Sequence, residues 1–345
     1  MNRIKGLEEY VKLPEYRDAL GLPEEQTETY TMLAHGEYNM NYYFRHPATG
    51  KELLLRVECG SQMHLDNHIE YEALVLHLIE ESGHTPHMYY YDASKKHLDH
   101  GVLVEEFLPG GALDYENDEH LVQTARALAE VHSIKVNSDT HLIDPGNSLA
   151  AIIEESEEMV KTYMDSDLGD DETKKRIRRL IDRGWEMIDG LEDGDIYRCC
   201  INTELNITNF LADDNDENGC KVYVIDWEKP LYGDPAQDLG HFLTPTTTFW
   251  KTDVVWDKAK MDWFIDEYIK AVDGRFDTEG LRERTHRFIT ITCLRGITWC
   301  AMAWVQYQNE SKALFNQSTW DKLYCYVSDP LLSSIEKIFF GDTDE

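Results

Sequence analysis

Between Glu28 and Phe107 the hydrophobic pattern switches period twice. ETYTMLAHG, NMNYYFRH and ELLLRVE carry Tyr, Phe, Leu and Val in short runs, and Pro47 and Gly50 mark a turn at PATGK; this predicts three strands. From Asp66 to Ser82 the apolar residues Ile69, Ala73, Leu76 and Ile79 recur at helical spacing and stop at Gly83, which predicts a helix. MYYYDA and HGVLVEEF then return to the strand pattern, and LPGGALD ends it. The block 28–107 therefore reads strand, strand, strand, helix, strand, strand. Residues 1–27 are charged, hold Pro14 and Pro23, and read as an N-terminal extension with short helices.

After Gly111 the character changes. HLVQTARALAEVHSI, LAAIIEESEEMVKTYM and KKRIRRLIDRGWEMIDGL follow helical spacing, and so does most of the chain from Gln237 onward. Two strand-like stretches, IYRCCINTELNITNFL and KVYVIDWEKPLYGDP, interrupt the helices. The layout is α+β: a β-rich lobe over 28–107, a short hinge, and a mainly helical lobe over 108–345. ADDNDENG and DSDLGDD are acidic turns expected on the surface.

Composition narrows the partners. The hydrophobic fraction of 42% supplies a sizeable core, so wholesale disorder is excluded. Lys and Arg total 33 against 66 Asp and Glu, a net charge of −33. Such a field repels nucleic acid and anionic lipid, so neither is an expected partner; it reads either as a solvated acidic coat that keeps the protein soluble or as an attraction for a cationic substrate. The basic run Lys174, Lys175, Arg176, Arg178, Arg179 lies on an amphipathic helix and reads as a solvated face. Seven cysteines, an odd number without a CxxC pair, argue against a disulfide framework or a zinc site. The N-terminus has no apolar signal region, and no run of about 18 apolar residues is seen. A cytoplasmic location is the expectation. The sequence leaves the oligomeric state open.

The chemistry concentrates between residues 200 and 240. Glu204 and Asn209 stand five apart in N-T-E-L-N-I-T-N, and the apolar run Val222–Ile225 leads into Asp226. Phosphoryl transfer needs this set: a carboxylate that orients a hydroxyl and accepts its proton, with one neutral and one ionised oxygen ligand holding Mg²⁺ against phosphates. The spacing equals that of H-R-D-x-x-x-x-N and the following metal-binding Asp in protein kinases.

CINTELNITNFL followed by YVIDWEKPLYGDPAQDLGHFL resembles the aminoglycoside phosphotransferase and choline kinase superfamily over roughly residues 28–310. That family looks like His-Gly-Asp-Leu-His-Pro-Gly-Asn-Ile-Leu, then Val-Ile-Asp-Trp-Glu, Gly-Asp-Pro and Asp-Leu. Ile225-Asp226-Trp227-Glu228, Gly233-Asp234-Pro235 and Asp238-Leu239 stand where the resemblance expects them. The first block departs: Asn202, Thr203 and Glu204 replace His, Gly and the catalytic Asp. The extra methylene of Glu204 moves a carboxylate by about 1 Å, and misplacement of that size costs about 100-fold in rate.

The resemblance implies a protein-kinase-like bilobal fold with a β-rich N-lobe and a mainly helical C-lobe. It implies ATP or GTP with Mg²⁺ as cofactors, Glu204 as the catalytic carboxylate, and Asn209 and Asp226 as metal ligands. It places Gly36 in the nucleotide-covering loop and Arg56 where the phosphate-pairing Lys stands. Glu72, rather than the neighbouring Glu70, braces that cation. Glu106, Phe107 and Leu108 form the hinge that reads the base through backbone groups. Asp238 is expected to support the catalytic loop.

The expected function is transfer of a γ-phosphoryl group to a hydroxyl on a small molecule, such as a cationic amine or an amino sugar. Trp250, Trp256, Trp263, Trp299 and Trp304 either box such a cation or serve as core. The alternative is a catalytically inactive kinase-like module that binds a nucleotide or ligand. Protein substrates are disfavoured because Asp234 and Asp238 follow Asp226 almost at once, with no Ala-Pro-Glu.

Overall fold

The computed structural model describes residues 4–35, 39–60, 63, 65–137, 140–191, 194, 196–308 and 317–341. The chain forms two compact units, one of Met1–Ile143 with Thr208–Leu231 and one of Asp144–Ile207 with Tyr232–Glu345. Beyond the 28–107 block, the first unit also takes in residues 108–143 and, where the chain returns to it after Ile207, residues 208–231.

In the first unit, α1 (Leu7–Tyr10) and α2 (Pro14–Leu20) precede β1 (Thr31–His35), β2 (Asn39–Arg45) and β3 (Glu52–Glu58). Then come α3 (His68–Ile79), β4 (Met88–Asp92) and β5 (Val102–Glu106). The five strands form an antiparallel sheet in the order β1-β2-β3-β5-β4. Side chains alternate between its faces. Tyr42, Phe44, Leu53, Leu55, Val57, Val102 and Val104 share one core with Leu7, Tyr10, Val11 and Tyr16. The apolar residues between Ile4 and Leu22 are therefore built into this core. Arg17 secures them through a buried ion pair to Glu28 at 2.9 Å, and Tyr10 donates to Asp92 at 2.8 Å. The opposite parity of the same strands carries Asn39, Asn41, Leu54, Arg56 and Glu105.

The unit is completed by β6 (Gly111–Ala112) and α4 (Asp118–His132), and the second unit opens with α5 (Ser148–Met164), α6 (Asp171–Ile188) and β7 (Cys199–Ile201). The chain then re-enters the first unit as β8 (Phe210–Asp213) and β9 (Lys221–Val224), which join β6 in a sheet of order β6-β8-β9.

The rest of the second unit is β10 (Leu231–Gly233), α7 (Pro235–Leu243), α8 (Pro245–Lys251), α9 (Lys258–Val272), α10 (Leu281–Gln308), α11 (Gln317–Tyr326) and α12 (Leu331–Phe340). Among the described residues α10 alone is long and apolar enough to cross a membrane, and 72% of its apolar window is buried inside the protein. Glycines let its neighbours come close. A Cβ at Gly240 on α7 would collide with Phe288 on α10, and one at Gly296 on α10 would collide with Thr246 on α8. Within the basic run on α6, Arg176 pairs with Asp329 at 3.1 Å and Glu336 at 2.7 Å, so this part of the run is internally neutralised. All seven cysteines are free.

Candidate active site

The polar parity of the five-stranded sheet lines a cavity of about 430 Å³ within the first unit. Arg56, on β3 opposite Asn41 of β2 and Leu103 of β5, reaches into it from a position only 5% exposed. Its guanidinium forms an ion pair with Glu72 on α3 and lies 3.7 Å from Glu105 and 3.4 Å from Asp226. Burial works against the Arg56 charge, and the surrounding carboxylates of Glu72, Glu105, Asp226 and Glu228 more than offset it, holding the group protonated. Burial pushes the Glu72 carboxyl up to about 8; Arg56 pulls against that shift, while Glu105, Asp226 and Glu228 add to it. Glu105 is raised for the same first reason. Arg56 Nε is buried with no hydrogen-bond partner. Among the described residues, one guanidinium thus faces four carboxyl groups, of which Glu72 and Glu105 are raised by burial.

Asn209 and Asp226 meet through a hairpin. β8 and β9 pair antiparallel with Phe210 opposite Val224, and Ile225 N donates to Asn209 O at 2.9 Å. The residue before β8 and the second residue after β9 are thereby brought to one end of the hairpin, and both line the cavity. Asp226 has a left-handed backbone, φ 64°, an uncommon conformation for a non-glycine residue. Its follower, Trp227, is buried and donates from Nε1 to Val224 O at 3.1 Å, which fixes the turn. Glu228 accepts from Asn39 Nδ2 at 2.8 Å, and its carbonyl lies 2.6 Å from His68 Nε2 of α3.

Glu106, Phe107 and Leu108 also line the cavity. The expectation of unpaired hinge N–H groups holds only in part. Glu106 N donates to His87 O at 2.8 Å and Phe107 N to Glu52 O at 3.1 Å. The Leu108 N–H has no such partner among the described residues. Gly36 lies outside the described residues.

Glu204 belongs to the second unit. Its loop follows β7 and hangs on Asp238 of α7, a fully buried carboxylate that accepts from Asn202 N and Thr203 N, each at 2.7 Å. Asp238 is thus the loop support that the sequence suggested. Thr203 takes φ 72°, the left-handed conformation that glycine adopts at least cost and a β-branched residue rarely does. The Glu204 carboxylate is held by Arg295 of α10 at 3.2 Å.

Of the expected site residues, the structure gathers Arg56, Glu106, Phe107, Leu108, Asn209 and Asp226 around one cavity, with Glu72 behind Arg56. Sequence reasoning missed Glu105, Glu228 and Arg295 as site residues. The parity of β5 relative to β3 is the signal for Glu105; Glu228 follows Asp226 by two in the quoted motif; Arg295 has no local signal. The tryptophans divide. Trp256 packs on Phe242 at 5.8 Å, and Trp250 stands edge-on to Trp299 at 5.3 Å. Trp263 already faces the chain's own Lys260 at 3.9 Å.

Away from the cavity, His120, Asp214 and Cys220 lie close enough together to suggest a metal. His120 Nδ1 accepts from Asp114 N at 3.1 Å, so its proton sits on Nε2, 3.0 Å from Asp214. That is a hydrogen-bonded cluster with its nitrogen lone pair already used.

The sheet with its buried Arg–Glu pair, the hairpin carrying Asn209 and Asp226, and the mainly helical second unit make this a kinase-like α+β fold. The chain matches the phosphotransferase enzyme family over residues 29–284 and belongs to that family. A spectinomycin phosphotransferase, solved with ADP and spectinomycin, is similar at TM-score 0.65 with 14% identity, covering 98% of both chains. A Plasmodium vivax ethanolamine kinase is similar at TM-score 0.63 with 16% identity, covering 94% of this chain and 88% of that one. A choline kinase from Cryptosporidium parvum Iowa II is similar at TM-score 0.61 with 15% identity, covering 96% of this chain and 99% of that one. No curated protein matches the chain by sequence.

Proposed function

We propose that this protein transfers the γ-phosphoryl group of a Mg²⁺-bound nucleotide, ATP or GTP, to a hydroxyl of a small cationic acceptor, an amine or an amino sugar. The observation that carries the reading is the convergence of Arg56, Asn209 and Asp226 on one cavity beside a hinge with an open N–H. The donor set suits a hard divalent cation: it is all oxygen, with the neutral Asn209 beside the carboxylate of Asp226, in a cavity that Glu228 also lines. Asn209 and Asp226 would hold Mg²⁺, with Glu228 close by, and the bound ion would supply charge neutralisation of the phosphates. Arg56, fixed by Glu72, pairs phosphate oxygens through donors that a planar guanidinium presents in a fork. Leu108 N–H meets the base edge.

Glu204 orients the acceptor hydroxyl and takes its proton as the oxygen bonds to the γ-phosphorus and the bond to the nucleotide's bridging oxygen breaks. The net charge of −33 supports a cationic acceptor, since it draws such molecules towards the protein.

The test is a nucleotide-turnover screen across amines, amino sugars, sugars and neutral alcohols, with and without Mg²⁺. Acceptor-dependent release of nucleoside diphosphate that is lost in Asp226→Ala supports the reading. Nucleotide binding with no turnover on any acceptor would favour an inactive binding module instead.

A further inference from the structure

The loop Asn202–Asn209 contains no Lys, Arg or His. A positive charge is brought to it from elsewhere in the second unit. Arg295, on α10, donates from one terminal nitrogen to Glu204 Oε1 at 3.2 Å and from the other to Thr203 O at 3.5 Å. Its Nε lies 3.0 Å from Glu155 Oε2 on α5. One guanidinium therefore grips the backbone and the carboxylate of the loop together while anchored from behind. The Arg295 and Glu204 side chains are 21% and 27% exposed, so the pair is shielded more than an ordinary surface ion pair.

The helix that supplies this group is itself fixed. Gly296, the next residue, sits against Thr246 with no room for a side chain, and Gly240 of α7 sits equally close to Phe288 of α10. The same α7 carries Asp238, which holds the loop amides of Asn202 and Thr203. Two tightly packed helices thus hold consecutive residues of one loop, one through a carboxylate and the other through a guanidinium.

We propose that Arg295 is a positioning residue that sets where the Glu204 carboxylate stands. The inference rests on the reading of Glu204 as the acceptor of the hydroxyl proton. A glutamate has one more rotatable bond than an aspartate at this place, and an untethered carboxylate samples several rotamers. The guanidinium restricts that freedom by fixing Glu204 Oε1. Lysine, a single ammonium on a flexible stem, cannot hold the carboxylate, the Thr203 carbonyl and Glu155 with the same fixed fork.

The experiment compares Arg295→Gln, Arg295→Lys, Glu204→Gln and the Arg295→Gln/Glu204→Gln pair by kcat, KM and Tm, with a crystal structure of Arg295→Gln. Arg295→Gln is expected to lower kcat by about 10- to 100-fold while the nucleotide KM stays within about twofold, because misplacement is felt in the chemical step. Arg295→Lys recovers part of the loss. On the Glu204→Gln background, Arg295→Gln costs less than about twofold more, since there is no carboxylate left to place. In the crystal structure the Glu204 carboxylate moves by about 1 Å or more.

An unchanged kcat, equal losses on both backgrounds, or an unmoved carboxylate would overturn the proposal. If the wild-type protein phosphorylates no acceptor, the functional reading fails, and the position of the carboxylate in Arg295→Gln still decides whether Arg295 places it.

Discussion

At the scale of single residues, the site is organised around one buried guanidinium and the carboxyl groups that face it. Arg56→Gln removes, among the described residues, the guanidinium that faces Glu72, Glu105, Asp226 and Glu228, and takes the cation away from the buried Glu72 and Glu105. The expected loss is about 3–5 kcal/mol of folding free energy, read from urea unfolding. Glu72 adds a pH dependence. Its carboxyl stands near about 8 in the folded chain, above its unfolded value, so the folded state holds a proton that the unfolded state releases. That contribution is fully present below the ordinary carboxylate range and is lost as pH rises through about 8. In metal-free protein, Tm is expected to fall with rising pH more steeply for wild type than for Glu72→Gln; parallel curves would contradict the assignment. Legibility at this scale follows locality. Asp226 is visible because an apolar strand runs straight into it and Trp-Glu follows. Glu105 is hidden because consecutive Glu105 and Glu106 look alike until strand pairing puts the first one behind Arg56. Arg295 is hidden because its partner is distant in sequence.

At the scale of elements, residues 28–107 could be read from their pattern, since alternation and helical spacing are properties of the chain alone. The helical span Asp66–Ser82 resolves into α3 and a short 3₁₀ turn at Glu80–Ser82, ending at Gly83 as expected. β6, of two residues, lies below what any period can reveal; β7 and β10 fall inside the strand-like stretches IYRCCINTELNITNFL and KVYVIDWEKPLYGDP, whose pattern does not show where each strand begins and ends. Nor does the sequence show which glycines mark contacts. Gly240 and Gly296 look like weak points in helices, yet they are where α7 and α10 admit a neighbour. Gly240→Ala is expected to cost about 1–3 kcal/mol through overpacking, where alanine in an open helix position would stabilise. Because α7 also carries Asp238, the same substitution should lower kcat more than it raises KM. A thermal shift together with steady-state kinetics checks both.

At the scale of the whole molecule, the charge of −33 acts through its field. For a cationic acceptor, KM is expected to rise several-fold as salt goes from about 0.01 M to 1 M, as screening shortens the reach of the field from about 30 Å to 3 Å. A neutral acceptor should show no such trend. A KM for the amine that ignores salt would separate the surface charge from substrate capture.

The return of Thr208–Leu231 to the first unit has a consequence for how the protein is born. A chain leaving the ribosome at about 5–20 residues per second presents the five-stranded sheet early, but β8, β9, Asn209 and Asp226 emerge only after the opening stretch of the other unit. Until then Arg56, Glu72 and Glu105 wait beside an unfinished wall. A nascent chain stalled at Ile143 should be protease-sensitive there and should gain protection only once Leu231 has cleared the exit tunnel. Any attempt to isolate the first unit must graft that late hairpin back onto it.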